Sequence, residues 1–234
     1  METSCVVCSI PATGTVRSRP LCDNCKLEFA RKKALVFNNF PAQQRKAKSV
    51  SVFVMDLAPS SIFTLNCAED FCKRTKKTLN IFSRKNYFEK IKKIISHEKI
   101  NFYENSEFFP ENLENEEIFI EKILNFEGEI FYLSTFSEKI AAEILAELLK
   151  GNGNLALKIG REAFYENEKL IGLPGTFLSR EELKFVTDNL QIEFEEEILR
   201  KDPFIGASME LLEDCDHCVS QSIQRSTTRV FYEE

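Results

Sequence analysis

Four cysteines near the amino terminus have the residue type and the spacing of a metal site. They form two Cys-x-x-Cys pairs, Cys5 with Cys8 and Cys22 with Cys25, separated by thirteen residues that include two prolines and a glycine. Two thiolates in such a pair reach one ion, and four complete the tetrahedral shell of structural zinc. The pattern therefore predicts a zinc ribbon in which a short hairpin returns the second pair to the first. An iron–sulfur cluster or redox dithiols are the alternatives.

The other four cysteines do not complete a second site by themselves. Cys67 and Cys72 fall on a predicted helix, where free thiols commonly act as small buried hydrophobic groups. Cys215 and Cys218 form a third Cys-x-x-Cys pair that has no partner pair in the sequence. Because one pair supplies only two of four ligands, Cys215 and Cys218 form an additional metal site only if other ligands join them.

Basic side chains follow the second cysteine pair. Residues 26–38 have apolar residues at helical spacing, with Lys and Arg on the opposite side, and residues 17–48 hold nine basic and two acidic side chains. A basic helix beside a zinc ribbon favours a surface that binds the phosphates of a nucleic acid, although a solvated charged face has the same composition. The candidate phosphate-binding residues are Lys26, Arg31, Lys32, Lys33, Arg45, Lys46 and Lys48.

The elements that position these residues alternate between strands and helices. This alternation predicts an α/β domain with a mostly parallel sheet and helices on both faces. Short apolar runs predict strands at 50–55, 79–82, 100–103, 130–133 and 170–173. Amphipathic runs predict helices at 62–72, 84–96, 137–150 and 179–189, the last opened by a capping box from Ser179 to Glu182.

A tight turn joins the first strand of this domain to its first helix. The turn reads Asp56-Leu-Ala-Pro-Ser-Ser61 and places two hydroxyl groups at the start of the helix, a geometry that proteins use to hold anions. It contains no glycine, and neither does the rest of the stretch from Thr15 to Glu127. Phosphate loops need glycine for tight turns and close backbone approach, so the common Gly-rich phosphate motifs are excluded from the first half of the chain.

Composition and charge set further limits. The chain has 234 residues and a net charge of −6; residues 1–100 hold 19 Lys+Arg against 8 Asp+Glu, whereas residues 101–234 hold 12 against 29. This asymmetry predicts a half that faces a polyanion and a half that faces solvent or a partner. No signal peptide or membrane-spanning run is visible, so we expect an intracellular protein that does not bind membranes.

We expect three regions along the chain. Residues 1–40 form the zinc ribbon and the basic helix, residues 41–194 form the α/β domain, and residues 195–234 form a helical or loose tail that carries the last cysteine pair.

Taken in their order along the chain, the cysteine pairs, the basic helix and the turn after the first strand resemble the cytoplasmic tRNA 2-thiolation protein 2 family. Members of that family are the partner subunits in wobble-uridine (U34) thiolation. Cys5-Val-Val-Cys8, Leu21-Cys-Asp-Asn-Cys25-Lys-Leu-Glu-Phe29 and Pro59-Ser60-Ser61 carry the resemblance. The element order extends it over most of the chain, but only residues 5–61 hold specific motifs. The resemblance implies a PP-loop ATP pyrophosphatase fold, which is adenine nucleotide alpha hydrolase-like, and a cytoplasmic location.

The resemblance also implies partners. They are tRNA, a catalytic PP-loop homologue with which the chain forms a heterodimer, and, indirectly, a thiocarboxylated ubiquitin-like protein that supplies the sulfur.

The sequence departs from the family pattern where ATP would bind. The Ser-Gly-Gly of the family loop reads Asp56-Leu57-Ala58 here, so two side chains stand where phosphate approaches and a carboxylate adds like charge. The later turn at 134–136 reads Ser-Thr-Phe and also lacks its glycine. We therefore expect a chain that does not bind ATP and has no catalytic residues. The degenerate nucleotide loop comprises Asp56, Leu57, Ala58, Pro59, Ser60 and Ser61.

Three functional hypotheses follow from these observations. The leading one is a non-catalytic subunit of a tRNA U34 2-thiolation complex, with zinc in a structural role. The second is an active ATP-dependent tRNA thiolation enzyme, which the ATP affinity of the isolated chain separates from the first. The third is an unrelated zinc-ribbon adaptor, whose depletion leaves tRNA thiolation intact.

Overall fold

The protein is described by a computed structural model. The described residues are 3–34, 46–104, 122–123, 125–126, 128–159, 163–166, 168–190, 192–196, 202–213, 219–220, 222–224 and 226. Arg45, Cys215 and Cys218 lie outside these residues, and so does the side chain of Lys33.

The amino-terminal region is a two-stranded ribbon followed by a helix. Strands β1 (Gly14–Val16) and β2 (Arg19–Leu21) pair antiparallel between the two cysteine pairs. Arg17 and Ser18 join them with φ angles of 51° and 60°, the left-handed conformation of a tight hairpin turn. Helix α1 (Asp23–Ala34) begins within the second cysteine pair. The predicted hairpin between the cysteine pairs is therefore confirmed.

A six-stranded sheet forms the centre of the α/β region. Its strands lie in the order β5-β4-β3-β6-β8-β7, of which the first five are parallel and β7 is antiparallel to β8. The predicted mostly parallel sheet is thus confirmed. The strands are β3 (Ser49–Val54), β4 (Thr78–Ser83), β5 (Ile100–Glu104), β6 (Ile130–Leu133), β7 (Ala163–Glu166) and β8 (Lys169–Gly172).

Helices connect these strands. A 3-10 turn (Lys85–Tyr87) precedes the third of them, so the helix predicted at 84–96 is shorter than expected. The helices are α2 (Pro59–Thr75), α3 (Phe88–Ile94), α4 (Ser137–Leu149), α5 (Gly153–Ile159), α6 (Arg180–Thr187) and α7 (Pro203–Glu213). None of the described helices combines the length and the apolar character needed to cross a membrane.

Apolar layers cover both faces of the sheet, as predicted. Val52 of β3 packs in one core cluster with Leu65 of α2, whereas the next residue, Phe53, packs in another cluster with Ile144 of α4. Neighbouring residues of a strand point to opposite faces, so α2 and α4 cover opposite sides. Tyr87 and Ile91, at the start of and within α3, belong to the same cluster as α2.

The chain winds outward from β3 in both directions. It runs from β3 through α2 to β4 and through α3 to β5. It then returns to the other side of β3 with β6 and continues through α4, α5 and the edge strand β7 to β8. The strand order therefore reverses between β3 and β6. Ligands of doubly wound sheets bind outside the carboxyl ends of the strands at this reversal.

A third apolar cluster joins the ribbon to the α/β region. It contains Leu21 of β2 and Ala30 of α1 together with Phe63 of α2, Leu183 of α6 and Met209 of α7. The ribbon and the sheet thus share buried contacts along the helices that cover them.

Two elements were missed from the sequence. Strand β7 received no prediction, although it forms a hairpin with β8 across a turn in which Glu168 has a φ of 65°. Helix α5 starts at Gly153, directly after the predicted helix at 137–150, in a stretch for which no second helix is predicted. A glycine pair ends one helix and also permits the next to begin, and the sequence alone does not separate these two roles.

Candidate functional site

The four ribbon cysteines converge on one point. Their Sγ atoms all lie within 4.8 Å of one another, and Cys8 Sγ lies 3.5 Å from Cys22 Sγ and 3.7 Å from Cys25 Sγ. Four thiolates around a tetrahedral zinc ion at about 2.3 Å stand about 3.8 Å apart. Cys5, Cys8, Cys22 and Cys25 therefore lie close enough together to bind a single metal ion. The ligands of a cubane cluster each bind a different iron atom and stand farther apart.

The environment of Cys5 favours its thiolate form. Burial opposes ionisation, but hydrogen bonds with the backbone of Val7, Cys22 and Cys8 outweigh it and lower the pKa of Cys5 to about 6. In contrast, desolvation and the neighbouring cysteines raise the pKa of Cys25 to about 12. Four thiols this close cannot all ionise without a cation, and a bound metal ion would supply the positive charge that four thiolates need.

Cys67 and Cys72 do not form a reactive pair. Both are buried on α2, but Cys67 belongs to the cluster shared with the ribbon and Cys72 to the cluster on the sheet. Burial raises the pKa of each thiol to about 12. A buried thiol with a raised pKa is a poor nucleophile and a poor metal ligand, so the two cysteines act as packing groups, as the sequence suggested.

In the loop after β3, a side chain of the loop itself accepts the hydrogen bonds that the loop can donate. Asp56 is 3% exposed, and its Oδ1 accepts hydrogen bonds from the amide of Ala58 at 3.1 Å and from the hydroxyl of Ser61 at 2.6 Å. An anion bound at the start of α2 would need these two donors. Leu57 and Ala58 are fully buried, and α2 begins at Pro59, three residues before the predicted helix at 62–72. The loop is therefore filled by its own side chains and carries its own negative charge.

The loop after β6 is in contact with the loop after β8. A Cβ atom at Gly175 would lie 2.0 Å from the carbonyl oxygen of Thr135, so the two loops are in direct backbone contact. The amide of Ser137 donates to the carbonyl of Leu178 at 2.8 Å, and the Gln224 amide nitrogen donates to the carbonyl of Ser137 at 2.6 Å. Backbone groups at this end of β6 are thus engaged within the chain.

Residues 192–196 cross the carboxyl ends of β3 and β4. We call this segment the strap. The amide of Glu195 donates to the carbonyl of Leu57 at 3.3 Å, and the Glu195 carboxylate accepts a 2.5 Å hydrogen bond from Tyr87 and lies 3.5 Å from Lys90 Nζ. Ile192 and other apolar strap residues pack on the core cluster beneath α2. The strap links the loop after β3 to the turn after β4.

Lys26 does not lie on an exposed basic surface. Its side chain is 2% exposed, its Nζ pairs with Asp23 at 3.0 Å, and it lies 4.4 Å from the ring centroid of Phe185. An ammonium group that contacts phosphate must reach the surface of the protein. The assignment of Lys26 to a phosphate-binding surface therefore does not fit this burial; the residue anchors α1 to α6.

The remaining predicted phosphate-binding residues differ in exposure. Arg31 donates a 2.7 Å hydrogen bond to Asn66, which is 2% exposed on α2. Lys32 is 69% exposed and pairs with Glu28 at 2.6 Å. Lys46 and Lys48 are exposed. Arg31 thus has a structural contact, whereas Lys32, Lys46 and Lys48 remain accessible and their role stays a prediction.

Sequence reasoning assigned no role to Tyr87, Glu195 or Gly175. Tyr87 and Glu195 lie 108 residues apart, so no local pattern links them. Gly175 follows the predicted strand at 170–173 by two residues, and a glycine near a strand can mark a close approach of another backbone.

These features define a class of protein. A ribbon with four converging cysteines precedes a doubly wound α/β domain, and side chains fill the loop at the point where the strand order reverses. The chain is similar in structure to the U34-tRNA thiolase NcsA from Methanococcus maripaludis with its 4Fe–4S cluster. The TM-score is 0.71, the sequence identity is 13%, and the match covers 100% of this chain and 89% of that chain. No protein-family model and no curated protein matches the sequence. At this identity, the likeness establishes a shared fold.

Proposed function

We propose that this chain is a non-catalytic subunit of a tRNA U34 2-thiolation complex. It binds tRNA and pairs with a catalytic PP-loop homologue in the cytoplasm. That partner activates the wobble uridine with ATP and receives sulfur from a thiocarboxylated ubiquitin-like protein, and this chain contributes binding surface and no reacting group. The shared fold with a U34-tRNA thiolase supports the choice of reaction.

The observation that carries the proposal is the position of Asp56. Its buried carboxylate takes the hydrogen bonds of Ala58 and Ser61 that a nucleotide phosphate would otherwise receive. A second anion there would lack these donors and would face a like charge at short range. The chain therefore has the α/β fold, but the Asp56 carboxylate occupies the place of a bound phosphate. We expect this combination in a subunit that no longer binds ATP.

The cysteine cluster supports a structural role for the metal. All four thiols are close enough to bind one ion, which leaves no open position for a substrate among these ligands. Zinc suits such a closed four-thiolate shell because it needs no redox partner and prefers tetrahedral geometry. The ion would hold the two cysteine pairs together and thereby orient β1, β2 and α1.

The test of this proposal is the thiolation state of tRNA in cells that lack the protein. Total tRNA is run on a mercury-containing gel, in which thiolated species migrate slowly. We expect depletion to remove the retarded bands of the tRNAs that carry 2-thiouridine at position 34, and re-expression of the wild-type chain to restore them. Retarded bands of full intensity after depletion would contradict the proposal.

A second measurement addresses the absence of catalysis. ATP is titrated into the isolated chain by calorimetry, with a known ATP-binding PP-loop protein as the positive control. We expect no measurable heat of binding from this chain. If the chain binds ATP at micromolar concentration, it belongs with the active enzymes instead.

A further inference from the structure

A lysine directly precedes each of the strands β3, β4 and β5. These residues are Lys48, Lys77 and Lys99. The three strands are neighbours and run parallel, so their amino ends lie at one edge of the sheet. Backbone contacts align them, because the amide of Thr78 donates to the carbonyl of Lys48 at 3.0 Å and the amide of Leu79 donates to that of Lys99 at 2.9 Å. Neighbouring strands lie about 4.8 Å apart, so the three strand starts span about 10 Å.

The helices α2 and α3 end on the same side of the molecule. Each of them returns the chain from the carboxyl end of one strand to the amino end of the next. Lys76 directly follows α2, and Lys93 lies in the last turn of α3. His97 Nε2 lies 2.8 Å from the carbonyl oxygen of Lys77, so the connection from α3 to β5 contacts the connection from α2 to β4. The lysines of both connections therefore belong to one continuous surface.

Five lysines at this end of the sheet are exposed and lack a side-chain partner. Lys46 is one of them, because its neighbour Ala47 accepts a hydrogen bond at its carbonyl oxygen from the buried side chain of Lys77. Within the described part of the chain, these five form no side-chain hydrogen bond or ion pair: Lys46, Lys48, Lys76, Lys93 and Lys99. We call these five lysines the amino-end surface.

Few acidic groups lie near the amino-end surface. Residues 73–99 hold ten Lys+Arg against two Asp+Glu. On α2, the carboxylates of Glu69 and Asp70 are already paired with basic residues of the same helix. Glu98, which adjoins Lys99, is exposed. The amino-end surface therefore carries an excess of positive charge that the described residues around it do not neutralise.

Stabilisation of helix ends explains only two of the five lysines. Lys76 and Lys93 lie at the carboxyl ends of helices, where a positive charge interacts favourably with the helix dipole. The other three lie before strands, and strands have only small net dipoles. An anionic ligand would interact favourably with all five.

The amino-end surface also lacks large apolar side chains. Among the described residues, the exposed large hydrophobic side chains lie on the ribbon, at the carboxyl end of β5, on α4, on α7 and at position 219. A protein interface has an apolar core, and a protein that lies on a membrane inserts apolar side chains. A hydrated polyanion that carries its charge on its outside needs neither, and the phosphate backbone of a nucleic acid is such a polyanion.

We propose that the amino-end surface binds the phosphate backbone of a helical RNA stem. Lysines that contact phosphates position a nucleic acid without reading its sequence. Proteins that bind unpaired nucleotides stack aromatic rings on the bases, and double-stranded RNA is recognised by its shape and its phosphates. Because the amino-end surface consists of lysines alone, it fits a stem better than a single strand. The identity of the RNA as tRNA rests on the proposed function.

The position of the amino-end surface determines which part of a tRNA it holds. Strand β3 has six residues, so at about 3.3 Å per residue the surface lies about 20 Å from the loop after β3. A stem bound there is separated by the length of the strands from the loop that contains Asp56. The surface thus holds the body of the tRNA and leaves the wobble nucleotide free for the catalytic partner.

The test compares RNA binding by matched variants of the full chain. The probes are a fluorescent tRNA transcript and a blunt RNA duplex, and their affinities are measured by anisotropy at several KCl concentrations. The charge variant carries Lys48→Gln and Lys99→Gln. We expect both affinities to fall roughly tenfold at low salt. The slope of log affinity against log salt should decrease in magnitude by about 1.4 to 1.8, because each phosphate contact contributes about 0.7 to 0.9.

A matched control removes two exposed lysines from other places. Lys85 follows the carboxyl end of β4 and Lys184 lies on α6, so the variant Lys85→Gln with Lys184→Gln has the same net charge as the charge variant. We expect it to bind both RNAs like the wild type. Equal losses in the two variants would show that net charge alone matters and would overturn the proposal. Lys99→Gln alone, with half the change in slope, replaces the charge variant if that variant does not fold.

The outcomes separate this proposal from the proposed function. If the wild type binds tRNA and the charge variant binds equally well, the amino-end surface is wrong and the proposed function stands. If depletion leaves tRNA thiolation intact but the charge variant loses duplex binding, the surface stands and the proposed function falls. Loss of oligouridine binding with unchanged duplex binding would overturn the assignment to a stem. Loss of binding to polyglutamate or to phosphatidylserine vesicles, with unchanged RNA binding, would overturn the proposal in favour of an acidic protein or a membrane.

Discussion

The phenol of Tyr87 donates a 2.5 Å hydrogen bond to the carboxylate of Glu195, which lies 108 residues further along the chain. This contact links the strap to the turn after β4. The amide of Glu195 also donates a hydrogen bond to the carbonyl of Leu57, in the loop after β3. The loop after β3 is therefore filled from inside by Asp56 and contacted from outside by the strap.

The strap contact predicts a specific alkaline titration. Burial, together with the hydrogen bond and the charge of Glu195, raises the pKa of Tyr87 from 10 to about 12. A phenol with a raised pKa stabilises the fold fully below about pH 10, and this stabilisation disappears as the pH rises towards 12. We expect Tyr87→Phe to lower the free energy of unfolding by about 1 kcal/mol at pH 8.

The measurement is urea unfolding at a series of pH values. The difference between wild type and Tyr87→Phe should shrink between pH 10 and 12, because the wild type alone loses the contact. Tyr103→Phe, which removes a hydroxyl group from an exposed ring, serves as the control. A constant difference across this range would show that the hydrogen bond does not stabilise the strap.

The contact between Arg31 and Asn66 predicts that two neighbouring basic residues have different roles. Arg31→Ala removes the 2.7 Å donor of a nearly buried amide, so we expect a loss of about 1 to 3 kcal/mol in the free energy of unfolding. Lys32→Ala removes only an exposed pair with Glu28 and should change stability by less than about 1 kcal/mol. Chemical denaturation of both variants checks this contrast; equal losses would contradict it.

The sequence predicted the order of elements because burial patterns are local. The runs at 50–55 and 130–133 are short and apolar, and both are strands in the structure. The capping box also formed as expected, with Ser179 and Glu182 exchanging hydrogen bonds. Strand β7 was missed, since a four-residue edge strand carries little periodicity.

The candidate site was less accessible to sequence reasoning. The cysteine cluster was predictable because spacing alone brings two Cys-x-x-Cys pairs to one ion. Lys26 was misjudged, because a helical pattern marks which side is polar but not that Phe185 and Asp23 enclose its ammonium group. The strap depends on contacts across 108 residues, and no periodicity in a single sequence encodes such a distance.

Backbone contact between the loops after β6 and β8 predicts opposite effects at two glycines. A Cβ atom at Gly175 would lie 2.0 Å from the Thr135 carbonyl oxygen, so we expect Gly175→Ala to destabilise the protein by about 1 to 3 kcal/mol. Gly206, inside α7, has no atom within 4 Å of its Cβ position, and Gly206→Ala should stabilise the protein by about 0.5 to 1 kcal/mol. Thermal unfolding of both variants measures these shifts. Stabilisation by Gly175→Ala would mean that the loops are farther apart.

The convergence of four thiols predicts one bound metal ion per chain. Cys22→Ser should abolish metal binding, because only three thiolates remain. Cys22 is also buried, in the apolar cluster that joins the ribbon to α2. Cys67→Ala, a buried cysteine outside the metal cluster, is the matched control and should keep the metal. Elemental analysis of the purified proteins counts the metal and identifies zinc or iron; visible absorbance typical of an iron–sulfur cluster would replace the zinc assignment.

The internal carboxylate of Asp56 predicts chemical rescue by an added anion. Asp56→Ala leaves the amide of Ala58 and the hydroxyl of Ser61 without their acceptor, so we expect a loss of about 1 to 3 kcal/mol in the free energy of unfolding. A small anion that enters the vacated space binds the folded state and restores part of this loss. Phosphate or formate should therefore raise the melting temperature of Asp56→Ala more than that of the wild type, in which the carboxylate excludes a second anion. Chloride at equal ionic strength controls for general salt effects, and equal shifts for the two proteins would show that the loop donors do not form an anion site.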